Sequence, residues 1–199
     1  MTVPDHIIRA ATEADLPAIV DVHLAAYSRH HFTSRLGHGA LIDYYRLFLQ
    51  DGAEIIVLVP SQASREGNKI LGFAVFGRGI AVKIDRFKRT NAPAILKASI
   101  AHPIAAGSKV LHRLWNRATH GQAMISADYL LLSIAVANPG TGAGGILLDA
   151  FLKHAKASGT KSVGLYVNAD NVTAINAYAR RGFAFRELYG RQFYMDQSI

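Results

Sequence analysis

The stretch that decides the fold is Val136-Ala-Asn-Pro-Gly-Thr-Gly-Ala-Gly-Gly-Ile-Leu-Leu148. It begins at the end of an apolar run, 129–137, that is typical of a strand covered on both faces. Asn138-Pro139 ends the strand, and a helix is predicted over 144–158. Glycines let the main chain approach a ligand, and the free N–H groups of a first helical turn attract anions. A plain strand-to-helix turn needs fewer than four glycines, so we interpret this glycine loop, residues 139–145, as a phosphate site.

Two common phosphate motifs fit the loop poorly. A nucleoside-triphosphate loop ends in Gly-Lys-Ser/Thr, and Gly144-Gly145-Ile146 supplies neither the lysine nor the hydroxyl. The dinucleotide pattern G-x-G-x-x-G is matched by Gly140, Gly142 and Gly145. However, only about 60 residues follow it, whereas a doubly wound dinucleotide domain needs several further strand–helix units. The sequence therefore contains the dinucleotide-binding pattern but lacks the strand–helix units that a dinucleotide-binding domain needs after it.

A second motif lies downstream, after a strand predicted over 162–167. It is Asn171-Val-Thr-Ala-Ile-Asn-Ala-Tyr-Ala-Arg-Arg-Gly-Phe183. The chain resembles the GNAT acyltransferase superfamily, whose signatures are Gln/Arg-x-x-Gly-x-Gly/Ala, here Pro139 to Gly144, and Asn-x-x-Ala-x-x-x-Tyr-x-x-x-Gly-Phe. The resemblance implies acetyl-CoA as co-substrate. It also implies one GNAT-like domain over 1–199, with an α/β mixed sheet whose central strands splay apart.

The other predicted elements agree with such a domain. The patterns predict strands at 6–10, 54–59, 69–76, 183–188 and 192–195. They predict helices from Thr12 to Tyr27, over 40–50 and over 171–181. The resulting order indicates a single mixed-sheet α/β domain with a helical insertion at about 81–128.

Composition excludes several classes of protein. Of the 199 residues half are hydrophobic and none is cysteine, which excludes disulfide frameworks, thiol nucleophiles and cysteine-ligated metals. No apolar run reaches the roughly 18 residues of a membrane-spanning helix. The N-terminal residues show no secretory pattern, so we expect a cytoplasmic protein. The histidines are too irregularly spaced to predict a metal site.

The net charge of +8 is concentrated in one segment. Between Lys83 and Arg117 there are eight basic residues and one acid, Asp85. One hypothesis is that this basic segment forms a lid or one side of the acceptor site and binds an anionic acceptor. Another is that it makes a peripheral contact with an anionic membrane. Contact with nucleic acid or the ribosome is a third hypothesis, but the segment has few aromatic residues on which bases could stack. A solvated helical hairpin is an equal alternative, and we expect no nucleic-acid partner.

The resemblance assigns roles to individual residues. The backbone N–H of Val136 is implied to bind the thioester oxygen, and Tyr178 is implied to be the general acid. The implied cofactor-binding residues are Ile134, Ala135, Val136, Gly140, Thr141, Gly142, Ala143, Gly144, Gly145, Asn171, Ala174 and Tyr178. Helical spacing alone favours a core role for Tyr178, and Asn171 also suits an N-cap. Pro139 departs from the family's Gln/Arg, which removes a side-chain donor to the pyrophosphate.

The predicted function is N-acetyl transfer to the primary amine of a small molecule, for example an anionic amino sugar derivative. Alternatives are a protein N-terminal or lysine acetyltransferase, or a catalytically silent acyl-CoA-binding module. Many relatives carry a glutamate near the strand at 129–137, where this chain has only Ser133. The glutamate would act as the base that deprotonates the amine. The alternative bases are His30, His31 and His38, in the loop predicted between the first two helices, and water. His23 is interpreted as a partly buried helix residue, and a homodimer is left open.

Overall fold

The computed structural model describes residues 5–27, 33–49, 55–61, 69–92, 127 and 129–199. Within them the strands are β1 (His6–Ala10), β2 (Ile55–Pro60), β3 (Gly72–Arg78), β4 (Tyr129–Val136), β5 (Ser162–Asn168), β6 (Ala184–Tyr189) and β7 (Gln192–Ser198). The α-helices are α1 (Leu16–Ala26), α2 (His38–Leu49), α3 (Ile80–Thr90), α4 (Ala143–Ala157) and α5 (Val172–Ala179). Short 3-10 turns at Glu13–Asp15 and Thr33–Arg35 precede α1 and α2.

The described strands form one seven-stranded sheet in the order β1-β2-β3-β4-β5-β7-β6. β4 and β5 pair in parallel, and the other neighbours pair antiparallel. This confirms the mixed α/β sheet that the sequence predicts.

Both faces of the central strands are buried, which explains their continuous apolar sequences. In β3 the side chains of Phe73 and Val75 join the core beneath α1, α2 and α3. Ala74 and Phe76, which alternate with them, join the core beneath α4 and α5. Successive strand residues point to opposite faces, so a strand covered on both sides is apolar at every position.

A β-bulge interrupts β4 in the middle. Val75 of β3 faces Ser133, and the next residue, Phe76, faces Leu131, so Leu132 is an extra residue. A bulge bends its strand and increases the local twist. The parallel pairing with β5 stops at the same level, at Leu131 opposite Leu165. β4 and β5 therefore separate beyond this point, as the resemblance implies for the central strands.

The bulge also reverses which face each β4 side chain points to. Before it, Leu131 belongs to the core beneath α4, and after it, Ile134 and Val136 pack against that core. Side chains alternate between the two faces of a strand, so one extra residue reverses the alternation beyond it. Ser133 and Ala135 consequently point toward α1.

The predicted boundaries agree with the structure to within a few residues. One difference matters: α2 begins at His38, two residues early, because Leu41 N–H bonds the carbonyl of Gly37. His38 is therefore helical and not a loop residue. The insertion begins with the helix α3, whereas residues 93–126, which include most of the basic segment, lie outside the described residues, as do His30 and His31. Among the described helices, none combines the length and hydropathy needed to cross a membrane.

Candidate active site

A cavity of about 200 Å³ opens where β4 and β5 separate. The strands contribute the segments from Leu131 to Ile134 and from Leu165 to Asn168. The side toward α1 and α2 contributes His23, Tyr27, Thr33, Tyr44 and Tyr45, and the side toward α5 contributes Asn171, Ala174 and Tyr178. The cavity therefore passes through the sheet and connects its two faces.

Backbone groups at the end of β4 face this gap. Ala137 N–H bonds the carbonyl of Leu71 at 2.9 Å, so the backbone groups of residue 137 point toward β3. Alternate residues of an antiparallel strand direct their N–H and C=O groups to opposite sides. The N–H of Val136 and the backbone groups of Ile134 consequently point to the side from which β5 has departed, whereas those of Ala135 point to β3.

The glycine loop leads from this strand end into α4. Gly140 and Gly142 adopt left-handed φ values of 81° and 94°, which side-chain-bearing residues rarely accept. Ala143 and Gly144 start the helix, so their N–H groups have no intrahelical acceptor. Thr141 Oγ1 donates to the carbonyl of Asn138 at 3.0 Å, which closes the loop. Amides at the start of a helix are of the kind that can bind an anion.

Gly145 has a different environment from the other loop glycines. Its N–H already donates to the carbonyl of Gly142 at 2.9 Å. Its own carbonyl accepts from Arg181 Nη2 at 3.2 Å, and a Cβ at this position would lie 2.9 Å from the same nitrogen. Arg181 also holds Asp149, with Nε 2.5 Å from Oδ1. Gly145 therefore allows the end of α5 to dock against the first turn of α4.

The helix α5 places Tyr178 at the cavity. Asn171 caps this helix, because its Oδ1 accepts from the N–H of Ala174 at 3.1 Å. Tyr178 is buried, and no hydrogen bond to its hydroxyl occurs among the described residues. Burial, with a smaller effect of nearby Tyr27, raises the pKa of Tyr178. The phenol is thus protonated throughout the physiological range, which is the state that a general acid needs.

A hydroxyl network lines the opposite side of the cavity. Tyr27 Oη lies 2.9 Å from Ser133 Oγ and donates to the carbonyl of Ile134 at 3.2 Å. His23 is buried, with Nδ1 2.6 Å from Tyr45 Oη and Nε2 3.0 Å from Thr33 Oγ1. Burial raises the pKa of Tyr27 and of Tyr45, so both remain neutral donors.

Ile134, Asn171, Ala174 and Tyr178 of the predicted set line the cavity, and the loop amides lie at the end of the adjacent β4. Sequence patterns assign no site role to Tyr27, Tyr45 or Tyr166, which also line it. One feature of the sequence could have indicated this side of the site. Ser133 is the only polar side chain in an apolar strand, and a buried hydroxyl needs a hydrogen-bond partner. His38 pairs with Asp21 at 3.4 Å on the surface and does not line the cavity.

Comparison with known proteins agrees with this geometry. Residues 131–183 match the profile of the Acetyltransferase (GNAT) family. The matched range spans both motifs, the separating strands, α4 and α5. No curated protein matches the chain in sequence.

Solved structures share the fold along the chain. SsHAT superposes with a TM-score of 0.66 at 16% identity, covering 98% of each chain. The PaiA N-acetyltransferase of Thermoplasma acidophilum, in complex with coenzyme A, gives 0.60 at 15% identity, covering 98% of this chain and 99% of that one. The ribosomal-protein-S18-alanine N-acetyltransferase of Escherichia coli superposes with a TM-score of 0.56 at 16% identity, covering 98% of this chain and 94% of that one. Residues 131–183 therefore match an acetyltransferase (GNAT) domain, and the chain shares its fold with solved N-acetyltransferases, one of them in complex with coenzyme A.

Proposed function

We propose that the protein transfers an acetyl group from acetyl-CoA to the primary amine of a small molecule. The observation that carries the proposal is the cavity between β4 and β5, which is lined both by the buried, protonated Tyr178 and by the part of β4 that no longer pairs with β5. Such a site offers an extended ligand a strand edge to pair with and a proton donor beside it.

The residues present fit acetyl-CoA. The edge of β4 at Ile134 and Val136 suits the amides of the pantetheine arm, which can pair with it as an additional strand. The amides of Ala143 and Gly144, at the start of α4, suit the pyrophosphate. Pro139 supplies no side-chain donor there, so backbone groups carry this contact.

The chemistry divides between two groups of this chain. Acetyl-CoA, when bound, supplies a thioester whose carbonyl carbon accepts the amine. The N–H of Val136 faces the gap and donates to the carbonyl oxygen, where negative charge develops. The Tyr178 hydroxyl donates its proton to the departing sulfur. Both donors are held by secondary structure, Val136 at the end of β4 and Tyr178 in α5.

The lining of the other half of the cavity supports the proposed acceptor class. Its described lining has tyrosine, threonine and serine hydroxyls and no lysine, arginine or carboxylate side chain. The proposed acceptor is small, and the basic residues of the segment 83–117 are the proposed partners of an anionic acceptor. An amine at a protein N-terminus is the second candidate, which the likeness to the S18-alanine N-acetyltransferase favours.

The role of the basic segment remains a prediction, as do the cytoplasmic location and the homodimer. Co-sedimentation with anionic and neutral vesicles tests the membrane contact. Binding to anionic vesicles that weakens with salt supports it, and equal sedimentation with both kinds of vesicle contradicts it.

Two measurements test the proposed function. Acetyl-CoA at 100 times its Kd stabilises the fold by about 2.7 kcal/mol and therefore raises the Tm, whereas NADH does not. Mass spectrometry of a panel of amines and N-terminal peptides incubated with protein and acetyl-CoA then identifies the acetylated product. A Tm that rises with NADH alone contradicts the proposal and favours a dinucleotide site.

A further inference from the structure

The hydroxyl of Ser133 lies on the wall of the cavity, directly after Leu132, the extra residue of the β-bulge. Ser133 is half-buried, so a ligand in the cavity can reach it. Its Oγ lies 2.9 Å from Tyr27 Oη, which donates to the carbonyl of Ile134 at 3.2 Å. Three oxygen atoms therefore form a short row that begins at the cavity and ends at the backbone of β4.

The carbonyl at the end of this row determines which hydroxyl donates to which. A carbonyl oxygen can only accept, so the bond to Ile134 uses the single phenol proton of Tyr27. Burial raises the pKa of Tyr27, so this proton stays on its oxygen near neutral pH. Both contacts are then hydrogen bonds only if Ser133 donates to Tyr27. Because its proton is used in this way, the Ser133 oxygen has only lone pairs to offer a ligand in the cavity.

We infer that Ser133 Oγ accepts a hydrogen bond from an N–H group of the attacking amine and thereby orients the amine. This inference rests on the proposed function. Ser133 lies three residues before Val136 on β4, so one strand holds both the amine and the thioester oxygen in the proposed site. Tyr27 is a positioning residue, because it acts only by holding the Ser133 proton away from the amine.

The hydrogen bond to Ser133 becomes stronger during the reaction. The amine nitrogen bonds to the acetyl carbon while the carbon–sulfur bond breaks, and the sulfur takes the proton of Tyr178. The nitrogen gains positive charge, and a charged donor makes a stronger hydrogen bond than a neutral one. Of the two N–H groups of a primary amine, one remains bonded to Ser133 and becomes the amide N–H. The other loses its proton to water, and water returns a proton to Tyr178.

This arrangement predicts a preference for primary over secondary amines. A secondary amine has a single N–H, which cannot both remain bonded to Ser133 and lose its proton to water. The test pairs the panel amine that releases coenzyme A fastest with its own N-methyl derivative and measures kcat/KM for each as free thiol. In the wild type we expect the primary amine to be favoured by at least about 10-fold.

Ser133→Ala removes the hydrogen-bond acceptor. We expect kcat/KM to fall about 10- to 100-fold for the primary amine and less than about threefold for the N-methyl amine, so the preference is largely lost. The Kd of acetyl-CoA, measured by calorimetry, should not change. Ser133→Thr keeps the hydroxyl on a β-branched side chain that suits a strand, and it should retain both the activity and the preference. A loss of packing alone would lower the rates for both amines equally.

Tyr27→Phe tests the direction of the hydrogen bonds. It frees the Ser133 proton to bond the amine lone pair, which must attack the thioester, so we expect kcat for the primary amine to fall about 10-fold at an unchanged Kd for acetyl-CoA. Ser162→Ala is the matched control, since Ser162 begins β5 and does not line the cavity.

Two results overturn the inference while the proposed function stands. One is a wild type that acetylates both amines equally well, and the other is the same effect of Ser133→Ala on both amines. A wild type without amine-dependent release of coenzyme A overturns the inference and the proposed function together.

Discussion

Tyr27 and Ser133 are 106 positions apart in the chain, and their hydroxyl oxygens lie 2.9 Å apart. The contact exists because the bulge at Leu132 turns Ser133 toward α1, where Tyr27 ends the helix. The same bulge ends the pairing of β4 with β5. One irregularity in the sheet therefore opens the cavity and also places a polar network along its wall.

Removal of the Tyr178 hydroxyl tests the proposed general acid. Tyr178→Phe keeps the ring contact with Phe183, at 5.9 Å between centroids, and breaks no hydrogen bond among the described residues. We therefore expect an unchanged Tm and a kcat about 10²-fold lower, which steady-state thiol release measures. Tyr189→Phe, on the exposed hairpin, is the matched control and should keep full activity. Equal kcat in Tyr178→Phe and the wild type would show that the hydroxyl is not the acid.

Gly72 is predicted to set the position of the Val136 amide. A Cβ on Gly72 would lie 2.7 Å from the carbonyl oxygen of Ala135 and 3.0 Å from Leu147 Cδ1. Because these atoms belong to a strand and a packed core, Gly72→Ala must shift the end of β4. We expect a loss of about 1–3 kcal/mol in the free energy of unfolding, measured in urea, and a lower kcat.

Gly39→Ala is the control for Gly72→Ala. Gly39 lies in α2, and a Cβ there meets nothing within 4 Å. Alanine should leave activity unchanged and stabilise the helix by a few tenths of a kcal/mol up to about 1. If Gly72→Ala behaves like this control in both stability and kcat, the end of β4 does not depend on the close contact.

The buried carboxylate of Asp15 should make the free energy of unfolding depend on pH in the acid range. Burial alone would raise the pKa of Asp15, but hydrogen bonds from Arg9 and Thr12 outweigh it and lower the pKa to about 2. A depressed pKa contributes stability above the unfolded-state value near 3.9, and that stability is lost as the pH falls toward 2. Asp15→Asn should therefore cost roughly 1–2 kcal/mol at pH 7, measured by urea unfolding.

The exposed residue Asp43 provides the comparison for Asp15. Asp43→Asn should cost less than about 1 kcal/mol, because Asp43 pairs with Arg46 at the surface. The difference between Asp15→Asn and the wild type should shrink between pH 4 and pH 2. A difference that stays constant over this range would mean that the ionised Asp15 does not stabilise the fold.

Much of the fold could be predicted from the sequence because it depends on local patterns. The apolar run at 129–137 and the left-handed glycines of the loop determine strand, turn and helix within a few residues of each other. The elements that line the cavity toward α5 lie between 131 and 178, so two adjacent motifs were enough to identify them.

The other half of the site could not be predicted in this way. One hydrogen bond, between His23 and Tyr45, joins α1 to α2, and another, between Tyr27 and Ser133, joins α1 to β4. The second depends on a bulge that a run of leucines does not reveal. Tyr27 and Tyr45 fit the apolar faces of their helices equally well as core residues. Only the tertiary structure shows that the Tyr27 hydroxyl contacts Ser133 and the Tyr45 hydroxyl contacts His23.

The most direct test of the central claim is amine-dependent release of coenzyme A from acetyl-CoA, followed as free thiol in the wild type and in Tyr178→Phe. We predict that at least one primary amine raises the wild-type rate well above hydrolysis, and that Tyr178→Phe lowers that rate about 10²-fold while still binding acetyl-CoA. Tight binding of acetyl-CoA with no amine-dependent release would contradict it and would identify the protein as a catalytically silent acyl-CoA-binding module.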